Sequence, residues 1–185
     1  MAKGMYAAAL AAVLLVTTTP LEAAERVWFV PWKVLDPGTA PDAALFVLYW
    51  IPESPEDLRR SELVTSRALA IYSARCVAMH VVRIDDIERL ERLGAAELPV
   101  ALIADGNGEI ARLNGAFRSN DVIAMVREEF AQREIKAEKA LQSAQQCLRE
   151  GDRQCAAAQY ETVARQHCSF PRKAKAAQKA LRRLE

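Results

Sequence analysis

Residues 44–50, Ala-Leu-Phe-Val-Leu-Tyr-Trp, form an uninterrupted apolar run of strand length. A strand with no polar face is stable only at the centre of a sheet covered on both sides, so this segment alone calls for an α/β architecture. Ile51-Pro52-Glu53 ends the run. Ser54 then suits a helix N-cap, Pro55 the first helical position, and Glu56 and Asp57 complement the dipole. Val64, Ala68, Ile71 and Tyr72 recur at helical spacing, which predicts one helix reaching about residue 74, with Leu58 and Leu63 adding apolar surface near its start. Further along, Val77–Ile84 predicts a strand, residues 86–93 a short helix closed by Gly94, and Val100–Ala104 another strand. Asp105-Gly106-Asn107-Gly108 has the residues of a hairpin turn, with Glu109–Leu113 as the return strand. Ahead of all these, Val27–Val30 predicts a short strand, followed by turn residues 36–41.

The N-terminus has a different character. Lys3 precedes an apolar stretch, Met5–Val16, which Thr17-Thr18-Thr19-Pro20 breaks before the small residues Ala23 and Ala24. This is the pattern of a secretory signal peptide, assigned to residues 1–24, and the stretch falls short of the about 20 residues that span a bilayer. A periplasmic or secreted location is therefore expected, with no membrane insertion after cleavage. Export places Cys76, Cys147, Cys155 and Cys168 where bridges form, and four cysteines allow three pairings. The 51% apolar content supplies a core without metal or dense disulfides, and a net charge of +1 gives no global electrostatic case for nucleic acid or acidic lipid. No metal and no cofactor are expected, because no ligand spacing matches a zinc pattern.

Two motifs carry a resemblance to a known family. The segment Leu98-Pro99-Val100-Ala101-Leu102-Ile103-Ala104-Asp105-Gly106-Asn107-Gly108, continued through Gly115, looks like the cis-proline loop, strand, Gly turn and final glycine of thioredoxins. The strand ending in Trp50 directly before a helix sits where that family places W-C-x-x-C. The chain thus resembles the thioredoxin-like superfamily over about residues 26–132. The implied fold class is α/β: a mixed sheet flanked by helices, plus a small all-α C-terminal hairpin. The domains expected are residues 25–132 for the thioredoxin-like part and 133–185 for a helical extension.

The resemblance implies a site whose chemistry is missing. Aligned on Trp50, the family's two cysteines fall on Ile51 and Ser54, and its buried carboxylate falls on Leu45. Ile51 has no lone pair to offer, and Ser54 has no His or Lys base near it in sequence. What the resemblance leaves is a recognition surface: Trp50, Ile51, Pro52, Leu98 and Pro99 as an apolar groove with backbone groups open to an extended segment. The contrasting reading makes Trp50 and Pro99 core and turn residues.

From Asn120 to about Arg149 there is neither Gly nor Pro, which predicts a long helix, and Gly151-Asp152 breaks it. Gln154–His167 and Arg172–Leu184 predict two more helices around the break at Phe170-Pro171. Gly151, Ala156 and Tyr160 stand as in the second helix of a tetratricopeptide repeat, with Leu141, Ala144 and Leu148 on the first. Cys147 and Cys155 lie four residues either side of Gly151, which favours a bridge across that hairpin. The family topology then implies Cys76–Cys168 as the other pair. Arg172-Lys173-Ala174-Lys175 with Lys179, Arg182 and Arg183 is basic; a solvated helix face is the first reading and an acidic partner the alternative.

The functional expectation is an exported, non-catalytic binding module for an extended peptide or protein partner, with no nucleic acid. The alternatives are a thiol-disulfide oxidoreductase using Cys147 and Cys155, or an assembly scaffold acting through the helical tail.

Overall fold

A computed structural model describes residues 28–39 and 46–184. The signal-peptide expectation, the cleavage region and Leu45 lie outside the described residues. Among the described residues, five strands form one sheet: β1 (Lys33–Leu35), β2 (Phe46–Ile51), β3 (Val77–Val82), β4 (Val100–Asp105) and β5 (Gly108–Asn114), in the order β1-β3-β2-β4-β5. β1, β3 and β2 run parallel, and β4 and β5 are antiparallel to their neighbours. Helices flank the sheet, so the fold is mixed α/β with a helical tail, an arrangement compatible with the thioredoxin-like one.

Every residue of β2 is buried, as its lack of polar side chains requires. Alternation along the strand sends Phe46, Leu48 and Trp50 to one face and Val47, Tyr49 and Ile51 to the other. The first set packs with Met79, Val81 and Ile103 under Leu69, Val122, Val126 and Phe130. The second meets Val82, Val100 and Leu102, with Leu90 and Leu93 covering them. The helices that supply this cover are α2 (Arg67–Ser73), α3 (Ile87–Arg92) and α4 (Ser119–Arg149).

Two expected elements come out differently. The first described strand is Lys33–Leu35; Val27 lies outside the described residues, and residues 28–30 of the expected run lie in no strand, the Val30 N–H bonding to Val64 O at 2.9 Å. Parallel pairing of Lys33 with His80 and Leu35 with Val82 fixes β1 there. The single helix to residue 74 is instead α1 (Pro55–Arg60), a 3-10 turn at Glu62–Val64, and α2. Ser61 and Ser66 accept from the N–H groups of Leu63 and Leu69. Each serine side chain thereby starts a new helical segment where the backbone turns extended.

α4 runs 31 residues without a break, about 46 Å at 1.5 Å per residue. The boundary expected between 132 and 133 therefore falls inside one helix. Its first half lies on the sheet, and Ala137, Ala144 and Cys147 of its second half join the same apolar cluster as Ala156, Tyr160, Val163, Phe170 and Ala177. These last residues belong to or adjoin α5 (Arg153–Ala164) and α6 (Pro171–Leu181). Small side chains let the three helices approach closely. Gly151, at φ +81°, turns α4 into α5. The Asp152 N–H reaches back to Cys147 O at 2.8 Å, the left-handed ending that glycine permits at least cost. Cys147 and Cys155 are bridged across this turn, with Cα atoms 5.8 Å apart.

The second bridge, Cys76–Cys168, ties the start of β3 to the α5–α6 turn. Polar and aromatic contacts surround it. The Arg75 guanidinium donates to Ser169 O at 2.9 Å, and Ser169 Oγ donates to Arg75 O at 2.8 Å. The same guanidinium lies 4.2 Å from the Phe130 ring centroid, and Phe130 packs 5.0 Å from Phe170. Tail and sheet therefore share a hydrogen-bonded, aromatic seam as well as a covalent one.

Candidate functional site

The corner following β2 is built by local sequence chemistry. Ser54 Oγ accepts the Asp57 N–H at 3.1 Å, and Asp57 Oδ2 accepts the Glu53 N–H at 3.2 Å. The Ser54 cap and the Asp57 bond to the residue before it start α1 directly behind Pro52. On one side of the corner, Ile51 pairs with Val100, so the next register positions bring Pro52 beside Pro99. The Leu98–Pro99 peptide bond is cis, and both residues are half-buried. Among the described residues the N–H groups of Glu97 and Leu98 have no hydrogen-bond partner.

On the other side, a cavity of about 450 Å³ opens at the ends of β2 and β3. Val34 of the edge strand, Pro52, Pro55, Leu58, Val82 and Ile84 form its apolar wall. Val34 is 47% and Ile84 40% exposed, so apolar surface reaches the mouth. Arg83 and Asp85 stand at the rim and answer each other: Arg83 Nε donates to Asp85 Oδ1 at 2.8 Å. That hydrogen bond holds the Asp85 carboxyl below the usual range and raises the Arg83 guanidinium. With these charges mutually satisfied, the cavity suits an apolar group and not an ion.

The residues expected to form a groove do not all reach the surface. Trp50 is 1% exposed, its ring 5.4 Å from that of Trp32, whose Nε1 donates to Leu63 O at 2.9 Å. Ile51 is fully buried within β2 and Pro52 is buried behind it. Trp50 and Ile51 thus support the corner from beneath, because their places in β2 point them into the two packed faces. Leu98 and Pro99 remain accessible. The residues not singled out from sequence are Val34, Leu58, Val82 and Ile84. Val82 and Ile84 fall within the expected strand Val77–Ile84, but nothing in the sequence joins them to Val34 and Leu58.

Sulfur is absent from the corner in any alignment. Residues 46–60 contain no cysteine, and all four cysteines of the chain are paired elsewhere. Cys147 and Cys155 lie at the opposite end of α4 from the helix start that covers the sheet. Among the described residues, no group of three or more His, Cys, Asp or Glu side chains is placed to hold a metal ion, and no helix is long and apolar enough to cross a membrane. Two disulfides point to an oxidising compartment outside the cytoplasm.

Compared with protein families and with curated proteins, the sequence gives no match to either. The class that fold and site define is a mixed α/β protein with a disulfide-tied helical tail and a thiol-free apolar corner.

Proposed function

We propose that this chain is an exported, non-catalytic member of the thioredoxin-like group that binds an extended peptide segment of a partner protein. The observation carrying this reading is the apolar cavity of about 450 Å³ at a corner without any thiol. The open N–H groups of Glu97 and Leu98 support it, since an extended segment recognised by strand addition needs main-chain partners beside a side-chain pocket. A bulky apolar side chain of the segment fills the cavity beside Pro52, while its backbone runs along residues 97–98. The tail is read as a single tetratricopeptide-like unit that braces the sheet, and the location as periplasmic or secreted.

The test is an array of immobilised twelve-residue peptides, in which a central Phe, Leu or Ile is paired with its Asp counterpart. The wild-type chain selects the apolar members; Ile84→Glu abolishes selection, and Leu98→Asp weakens binding. Equal binding to both sets, or full selection by the Ile84→Glu chain, refutes the reading.

A further inference from the structure

The basic run near the C-terminus folds into a single outward stripe. Arg172, Lys175, Lys179 and Arg182 lie within an arc of about 100° at 3.6 residues per turn, and Arg183 follows in the last turn. All five are exposed and none forms an ion pair among the described residues. The opposite face holds Ala174 and Ala177, which are buried, so the helix cannot roll the stripe inward. Residues 162–184 contain seven of the chain's 25 Lys and Arg residues and none of its 24 Asp and Glu residues. The near-zero net charge of the whole chain conceals this segregation.

Helix stability does not account for the stripe. Cations suit a C-terminus, but Arg172 and Lys173 stand in the first turn of α6, where no acidic residue offsets the dipole. Where α6 needs an ion pair to pack, it makes one: Lys173 Nζ lies 3.0 Å from Glu138 and 3.5 Å from Glu134 on α4. The other cations are left to solvent. The stripe is also held rigid at both ends, by Cys76–Cys168 with the Arg75–Ser169 bonds, and by Arg153, which donates to Leu184 O.

We infer that the exposed face of α6 is a docking surface for an anionic phospholipid bilayer. A plane of negative headgroups meets a straight stripe about 16 Å long without further shape matching. The face presents Arg172, Lys175, Lys179, Arg182 and Arg183 with no acidic residue among them and no aromatic on α6, so its complement is an extended negative surface. Single-stranded nucleic acid binding would draw on aromatic stacking that the face lacks. α6 begins beside the start of β3, where Arg75 and Lys173 are already engaged with Ser169 and with Glu134 and Glu138. This end of the sheet lies opposite the apolar corner, at the start of β3 and not its end.

Sedimentation with vesicles tests this, using the full chain throughout so that its N-terminal apolar run is common to all samples. The vesicles are phosphatidylcholine alone or with about one-third phosphatidylglycerol, and polyglutamate is offered separately. Each exposed cation contributes about five-fold to partitioning, so Lys175→Gln/Lys179→Gln, confirmed folded by circular dichroism, loses about 25-fold on the anionic vesicles and nothing on the neutral ones. Raising salt to about 0.5 M removes the anionic preference. Equal partitioning to both vesicles, an unchanged double variant, or tighter binding to polyglutamate than to anionic vesicles overturns the inference; the last outcome assigns the stripe to an acidic protein.

Discussion

The two disulfides close loops of very different length, and that difference can be read out as stability. Cys76 and Cys168 are 92 residues apart, Cys147 and Cys155 only 8. A cross-link restricts the unfolded chain in proportion to the logarithm of the loop it closes. The chain-entropy relation gives about 4.6 kcal/mol for the long loop and about 2.5 kcal/mol for the short one. The perturbation is paired: Cys76→Ala/Cys168→Ala against Cys147→Ala/Cys155→Ala. With a urea slope of about 2 kcal/mol/M, the long-loop pair lowers the unfolding midpoint by about 2 M and the short-loop pair by about 1 M. The native contact around the lost long bridge should persist, because Arg75 and Ser169 still exchange hydrogen bonds and Phe130 still packs on Phe170. The assay is urea unfolding followed by far-ultraviolet circular dichroism, with near-ultraviolet spectra taken before the transition. Equal midpoints for the two pairs, or a larger loss from the short bridge, would refute the loop-entropy argument. A changed native aromatic spectrum in the long-loop variant would show that the bridge, not the polar seam, docks the tail.

Phe130→Ala removes a ring that contacts Phe46, Tyr72 and Phe170, and is expected to cost about 3–5 kcal/mol in urea unfolding; a cost below about 1 kcal/mol would show the seam to be dispensable. Asp105 accepts from Arg133 Nη2 at 2.7 Å and from the Asn107 N–H at 2.8 Å, which hold its carboxyl below the usual range. A depressed folded value means stability that is present above the unfolded value of about 3.9 and lost as pH falls through the folded one. The melting-temperature gap between wild type and Asp105→Asn should therefore be full at pH 6 and shrink below about pH 4; a constant gap contradicts it. Insulin disulfides should not be turned over by the wild-type chain, and turnover abolished by Cys147→Ser or Cys155→Ser would reverse the functional ranking.

Elements marked by local chemistry were legible in the sequence. The unbroken apolar run of β2, the turn at Asp105–Gly108, the Ser54–Pro55 helix start and the Gly151 break each carry their cause within a few residues. β1 does not: three residues, Lys33–Leu35, are a strand only because β3 offers them a parallel partner. The breaks at Ser61 and Ser66 were written in the sequence as capping residues, but the recurrence of Val64, Ala68, Ile71 and Tyr72 obscured them. The candidate site divides in the same way. Leu98 and Pro99 follow from their motif. The burial of Trp50 follows from alternation with Phe46 and Leu48, once β2 is central. The cavity could not be read at all, because Val34, Leu58 and Ile84 come from three separate elements that only the sheet order brings together.

Absence of sulfur is only half of what separates this corner from a reactive one. A helix terminus activates a thiol because unsatisfied N–H groups and the dipole favour the anion. At α1 the Asp57 N–H is engaged by Ser54, and just ahead of the helix the Glu53 N–H is engaged by Asp57. Glu53, Glu56 and Asp57 add negative charge within one turn, and Arg59 and Arg60 both reach back to Glu56, away from the corner residues. Any anionic nucleophile or acidic ligand placed there meets repulsion and finds two of the corner's donors already taken. An uncharged apolar side chain meets neither penalty and gains by leaving water in the adjoining cavity. The capping chemistry and the cavity therefore select the same kind of occupant. The basic stripe at the far end of the sheet selects the opposite kind, an extended negative surface, so both can be engaged at once without competing for the same ligand.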